Sequence, residues 1–215
     1  MDWGVLLRYW PLIWTGLINT IKLTVEIMIF SLILGLFIGS IRALGTPLLK
    51  KLGGVYVEVF RNIPSIVQLF FWFFAMGLGQ WNAVVIGLSI IGSARISETF
   101  RSGIQSIHKA QIESAESSGL SPWQTAIYVV IPQAIMIVLP PLGTDFLGIM
   151  KETSIAMVLG IRELTFQTQE IDARTFRGFE AATAVTVIYL LLSFIIVNGG
   201  HYLEGLLKVN IRVLR

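Results

Sequence analysis

The sequence predicts an all-α integral membrane protein, one transmembrane domain over residues 1–215 with about five membrane-spanning helices. Three observations carry this. Apolar residues make up 54% of the chain and charged residues only 13%, where a soluble domain carries roughly a quarter charged residues. Five apolar stretches of span length can be read. The run between Arg61 and Arg95 holds no charge at all, is too long for one straight span, and carries a Gly/Trp turn at its middle.

The first span is expected at about 17–41, with Lys22 and Glu26 one turn apart near its start, where they can pair. The second, about 55–78, begins with Glu58 and Arg61 and is then uncharged. The turn Gly77–Asn82 separates it from the third, about 84–101. The fourth, about 134–150, contains Pro140 and Pro141. Two consecutive prolines remove backbone donors, so a kink or break is expected there. The fifth, about 181–200, has no charge between Glu180 and Glu204. The start of the chain lacks a basic, cleavable leader, so the first apolar segment is expected to stay as an anchor.

Loop charge sets orientation. Arg42, Lys50 and Lys51 follow the first span; Arg101, His108 and Lys109 follow the third; Lys208, Arg212 and Arg215 lie in the tail. The turn after the second span has no charge. This pattern places the N-terminus outside and the C-terminus inside. The fourth loop also carries Lys and Arg and opposes the assignment. Ser31, Gly35, Gly39 and Ala43 recur at one-turn spacing. Such a stripe lets another helix approach closely, and packing within the chain is the expected use.

The loop at about 110–132 is the informative segment. It reads as a short polar helix, a Gly stop at Gly119, and a second helix start, with Ser121 as cap and Pro122 in the first helical position. Physics alone favours a solvated surface helix. Yet Glu113, Ser114 and Ala115, then Gly119, then Val129, Ile131 and Pro132 follow the spacing of the Glu-Ala-Ala coupling loop of ATP-binding-cassette importer permeases. Ser114, Val129 and Ile131 are mild departures from that pattern. Gly16, Thr20 and Thr24, the run Tyr56–Pro64 with Gln68, the group Glu98, Arg101, Gly103 and Ile104, Pro132–Ala134 and Lys151–Ser154 resemble further segments of the polar amino-acid branch, in order along nearly the whole chain.

The resemblance implies a permease subunit in a bacterial inner membrane. It implies as partners cytosolic ATPase subunits, a second permease chain, identical or related, an extracytoplasmic substrate-binding protein, and lipid. Glu113, Ser114, Ala115, Glu116 and Gly119 would couple it to the ATPase. The chain has no Gly-x4-Gly-Lys-Ser/Thr loop, so it is expected to be non-catalytic, with no cofactor. No cysteine is present, and His108 and His201 stand apart, so neither metal nor nucleic acid is expected as a ligand.

Arg95 and Glu98 fall inside the third span. Charge at such depth faces water or a partner. A local Arg95–Glu98 pair and a substrate-facing role are both open; Glu58 and Arg61 read as a helix-end pair or a lipid contact. With Arg61, Arg95 and Glu98 form the candidate substrate path. An Arg at position 95 resembles permeases of glutamate/aspartate importers, so an acidic substrate is expected, with glutamine, asparagine or another polar amino acid as the alternative. A self-contained channel or secondary transporter would need mid-span carboxylates, and Asp145 is the main candidate.

Overall fold

The computed structural model describes residues 2–213, with side chains to residue 206. Lys208, Arg212 and Arg215 of the expected basic tail lie outside the described side chains. The described residues form helices α1 (Gly4–Arg8), α2 (Trp10–Leu44), α3 (Pro47–Asn62), α4 (Ser65–Phe70), α5 (Gln80–Gln105), α6 (Lys109–Ser117), α7 (Pro122–Thr125), α8 (Ile131–Glu152), α9 (Leu164–Thr175) and α10 (Gly178–Val213). A π-turn (Phe71–Ala75) extends α4, another (Ala126–Val130) joins α7 to α8, and a 3-10 segment (Thr153–Leu159) extends α8. The protein is all-α. Among the described residues, four helical units are long and apolar enough to cross a membrane: Trp10–Leu44, Gln80–Gln105, Pro122–Leu159 and Gly178–Leu206.

The stretch read as a second span is two helices, not one. Proline has no N–H and forces the preceding residue out of the helical region. Accordingly, Ile63 is extended (φ −87°, ψ 126°) and Pro64 holds the N-cap position of α4. Hydropathy averaged over the run conceals that one residue. The break frees carbonyls at the end of α3, and Gln68 answers them: its Nε2 donates to the Phe60 carbonyl at 2.9 Å and the Ile63 carbonyl at 3.2 Å. Upstream, α3 starts earlier than the expected span, with Thr46 as its cap. At Pro140 and Pro141 the outcome is the reverse, because α8 runs through both without interruption. Neighbouring helices can supply what a proline removes inside a membrane bundle.

The core is α2 laid against α5 in the same direction. The Trp81 indole donates to Glu26 at 2.8 Å near one end, Ser31 Oγ to the Ser89 carbonyl at 3.2 Å further along, and Arg42 meets Glu98 at 2.7 Å near the other. Glu26 therefore hydrogen-bonds to Trp81 across the helices. The small-residue stripe is the seam: a Cβ on Gly35 would lie 2.7 Å from Ile96 Cβ and 3.0 Å from the Ser93 carbonyl. Gly35→Leu is expected to cost about 1–3 kcal/mol through overpacking, read as a lower unfolding temperature of the purified protein in detergent. An unchanged melting curve would contradict this seam.

Helix α8 runs opposite to α5, with Val138 beside Gly103, Asp145 on Thr99 and Glu152 on Arg95. Helix α9 closes the end opposite α6. Leu164 N donates to Thr20 Oγ1 at 3.2 Å, and Gly16 lets Gln167 approach. Glu163 caps α9, accepting from Thr165 N at 2.8 Å, Phe166 N at 2.7 Å and Tyr189 Oη at 2.9 Å. Burial pushes this carboxyl above its ordinary range, and those hydrogen bonds pull it back. Large apolar side chains such as Phe30, Ile33, Phe37, Leu191 and Phe194 point outward, the inverse of a water-soluble domain.

Candidate functional site

Two regions gather the residues that the sequence singles out. The first is α6, which stands between the ends of α5 and α7. Its C-terminus closes by a Schellman motif: Gly119 N donates to the Glu116 carbonyl at 3.0 Å and Leu120 N to the Ala115 carbonyl at 3.2 Å. This requires a left-handed residue, and Gly119 has φ +86°. The chain restarts at once. Ser121 Oγ accepts from Gln124 N, the Gln124 side chain accepts from Ser121 N, and Pro122 occupies the first turn, a complete capping box.

The result is a knob with a fixed exit. Ala115 is buried against the body, whereas Glu113, Ser114 and Glu116 are exposed. A groove of about 560 Å³, lined among others by Gln111, Ser114, Ser118, Leu120 and Gln133, runs beside it. Two aromatic side chains next to the knob, Trp123 and Tyr128, are 73% and 70% exposed. Exposed aromatics of this size beside polar residues mark contact surfaces. Their role is not legible in the sequence, although Trp123 lies two residues after the Ser121 cap.

The second region is the break between α3 and α4. It lies beside the middle of α5, where Arg95 sits. Arg61, Asn62, Pro64, Ser65, Arg95 and Glu152 line a cavity of about 430 Å³, within the range of small-molecule sites. Arg95 pairs with Glu152, not with Glu98. Glu98 instead meets Arg42 on α2 and Arg101 on its own helix, and lines an adjoining cavity of about 460 Å³ with Arg42, Glu58, Arg61 and Asn62. Arg61 thus borders both cavities and forms no ion pair among the described residues; the Glu58–Arg61 helix-end pair does not form.

Arg95 and Glu152 are each about one quarter exposed, at 26% and 24% of their side-chain surface, so the pair is only partly buried. The other Glu152 oxygen is buried without a partner among the described residues. Asp145 accepts from Thr99 Oγ1 at 2.7 Å and lies within the field of Arg95 and Arg61. The region therefore offers carboxylate and guanidinium groups together at a helix break, the arrangement that lets polar backbone and charge exist at membrane depth. The sequence flags Glu152 within Lys151–Ser154 but does not reveal its pairing, because that depends on α8 crossing α5.

A family model described as "Binding-protein-dependent transport system inner membrane component" matches residues 47–207. The glutamine transport system permease protein GlnP of Escherichia coli (strain K12) is 35% identical over 215 residues, covering 97% of this chain and 98% of that protein. The glutamate/aspartate import permease protein GltJ of the same organism is 28% identical, with 89% of each chain covered. Among solved structures, the crystal structure of an amino acid ABC transporter with histidines superimposes with a TM-score of 0.88 at 33% identity, covering 95% of this chain and 98% of that one. On a family model over most of its length and a relative matched nearly end to end, the chain belongs to the binding-protein-dependent transport system inner membrane components, on the amino-acid branch of the ABC permeases.

Proposed function

We propose that this chain is the pore-forming permease subunit of an ATP-driven bacterial importer of polar amino acids, with glutamine the first candidate substrate. The carrying observation is the cavity at the α3–α4 break, where Arg95 is already paired with Glu152. The acidic substrate expected from an Arg at position 95 would need that guanidinium to be available for a substrate carboxylate. A neutralised Arg95 does not meet that need. The cavity instead presents both signs of charge, Arg61 with the Arg95–Glu152 pair, which suits a zwitterion with a neutral side chain. The relatives lean the same way, a glutamine permease at 35% identity against a glutamate/aspartate permease at 28%. Membership of a binding-protein-dependent family argues against a self-contained channel.

In this reading, α6 docks on a cytosolic ATPase subunit through Glu113, Ser114, Ala115 and Glu116, and Gly119 fixes its angle. ATPase closure then moves the knob as a rigid lever. A second permease chain completes the path, and an extracytoplasmic binding protein delivers the substrate. Arg42 and Arg101 lie near the α6-side ends of α2 and α5, and Lys50, Lys51 and Lys109 follow those ends, which supports placing that face in the cytoplasm. The N-terminus then lies outside.

Cysteine labelling and copurification test this together. Gln169 and Ser117 are both exposed and lie on opposite faces. An impermeant thiol reagent applied from outside is expected to modify Gln169→Cys and to spare Ser117→Cys, and a tagged chain is expected to bring down an ATPase subunit. Reversed labelling would overturn the orientation and the docking of α6 with it.

A further inference from the structure

The turn from α9 to α10 is strained. Only Phe176 and Arg177 separate Thr175, the end of α9, from Gly178, the start of α10. A helix that stops this sharply commonly does so on a left-handed residue, usually glycine. Here that residue is Phe176, at φ +55°. Among the described residues no other non-glycine residue has a positive φ, and a bulky side chain resists that region. Hydrogen bonds fix the turn all the same. Phe176 N donates to the Asp172 carbonyl at 2.7 Å, Thr175 Oγ1 donates to the Ile171 carbonyl at 2.7 Å, and Arg177 N donates to Thr175 Oγ1 at 3.2 Å. Ile171 and Ala181, on either side, are buried in one apolar cluster.

The strain serves no packing contact, since Phe176 is 92% exposed. Glycine would make the same turn without it. Three residues on, Phe179 is exposed as well and meets the Trp3 ring edge-on at 6.4 Å. The surrounding side chains Gln169, Asp172, Arg174 and Arg177 are exposed, and charge of this density belongs in water, not in hydrocarbon. An aromatic ring held rigidly in water beside a polar rim has the form of an interface hot spot, already ordered before its partner arrives. Arg177 adds an open charge. It stands 3.7 Å from Glu180, too far for a hydrogen bond, and Glu180 also accepts from Asp2 N at 2.8 Å. Arg174, by contrast, is held by Glu170.

We propose that Phe176 is the anchor on which the extracytoplasmic binding protein seats, its ring entering an apolar pocket of that partner with a carboxylate at the rim for Arg177. The docking rests on the transport reading above, in which the α9 face lies outside. The family is binding-protein-dependent, so a partner of this kind has to meet the outer face.

The test uses the complete complex in proteoliposomes with the purified extracytoplasmic glutamine-binding protein of the source organism. Phe176→Gly is the chief variant, because it keeps the turn and removes the ring. It is expected to raise the binding-protein concentration for half-maximal uptake about tenfold, the loss of one hot-spot aromatic, with the rate at saturation retained. The same variant is expected to raise the unfolding temperature of the complex by about 2–4 °C, because the strain is gone. Phe176→Trp is expected to keep most of the docking. Arg177→Gln is expected to raise the half-maximal concentration about threefold, the effect of a rim charge, and to weaken its dependence on salt. Phe176→benzoylphenylalanine is expected to photocrosslink to the binding protein.

An unchanged half-maximal concentration in Phe176→Gly would overturn the docking and leave the importer intact. Photoadducts with lipid or with a second permease chain, and none with the binding protein, would do the same. A wild-type complex that takes up no glutamine, or takes it up without the binding protein, would overturn the transport reading and the docking with it.

Discussion

Gly119→Val is expected to reduce uptake and substrate-stimulated ATP hydrolysis together, by about tenfold or more, in a complex that still inserts and assembles. The cause is backbone conformation, not space. Nothing lies within 4 Å of a Cβ built on Gly119, but its φ of +86° is one that side-chain-bearing residues resist. A non-glycine residue there costs about 1–3 kcal/mol, the scale of a tenfold effect. α6 is only nine residues long, so it cannot absorb that cost and keep its end geometry. The order of substitutions separates backbone from bulk. Asn, which tolerates the left-handed region, is expected to be mild, and β-branched Val severe. Equal damage from Asn and Val, or normal coupling in both, would contradict the role of this turn.

The second large effect is expected at the mid-span ion pair. Arg95→Gln and Glu152→Gln each leave one charge without its partner at membrane depth. For a fully buried pair that costs about 3–5 kcal/mol; partial exposure here brings it nearer 1–2 kcal/mol. Glutamine uptake is expected to fall about tenfold in each single variant. The double variant Arg95→Gln/Glu152→Gln is expected to recover part of the loss, since the two effects act through one contact. Assembly, followed by size-exclusion chromatography, is expected to persist. A double variant as inactive as the sum of its parts would mean that each residue acts alone.

The residues differ sharply in how far ahead of the structure they can be read. The α6–α7 exit was legible because its signals are local. A glycine after a short helix, then Ser-Pro, specify a left-handed stop and a capped restart whatever surrounds them. The α2–α5 seam was legible for the same reason, since one-turn spacing of Ser31, Gly35 and Gly39 already defines a face.

Pairing between helices was not legible. Glu98 lies one turn from Arg95 and was a reasonable local partner, but Glu98 is taken by Arg42 and Arg101, and Arg95 by Glu152. Lys22 and Glu26 mislead in the same way, because Glu26 hydrogen-bonds to Trp81 of the next long helix. The prolines carry a related lesson. Pro64 breaks its segment, and Gln68 within the next turn satisfies the exposed carbonyls; Pro140 and Pro141 leave α8 continuous. Local chemistry states that a donor is missing, and the packing around it decides whether the helix stops.

In the proposed function, this chain carries a neutral polar amino acid through a charge-balanced cavity under ATP drive. The most direct measurement is uptake of labelled glutamine by proteoliposomes containing the complete complex, with ATP enclosed and excess unlabelled glutamate added as competitor. Accumulation is expected to require ATP and the binding protein and to be barely suppressed by glutamate. Accumulation of glutamate in preference to glutamine would show that Arg61 and Arg95 select negative charge; ATP-independent flux of either would contradict the importer itself.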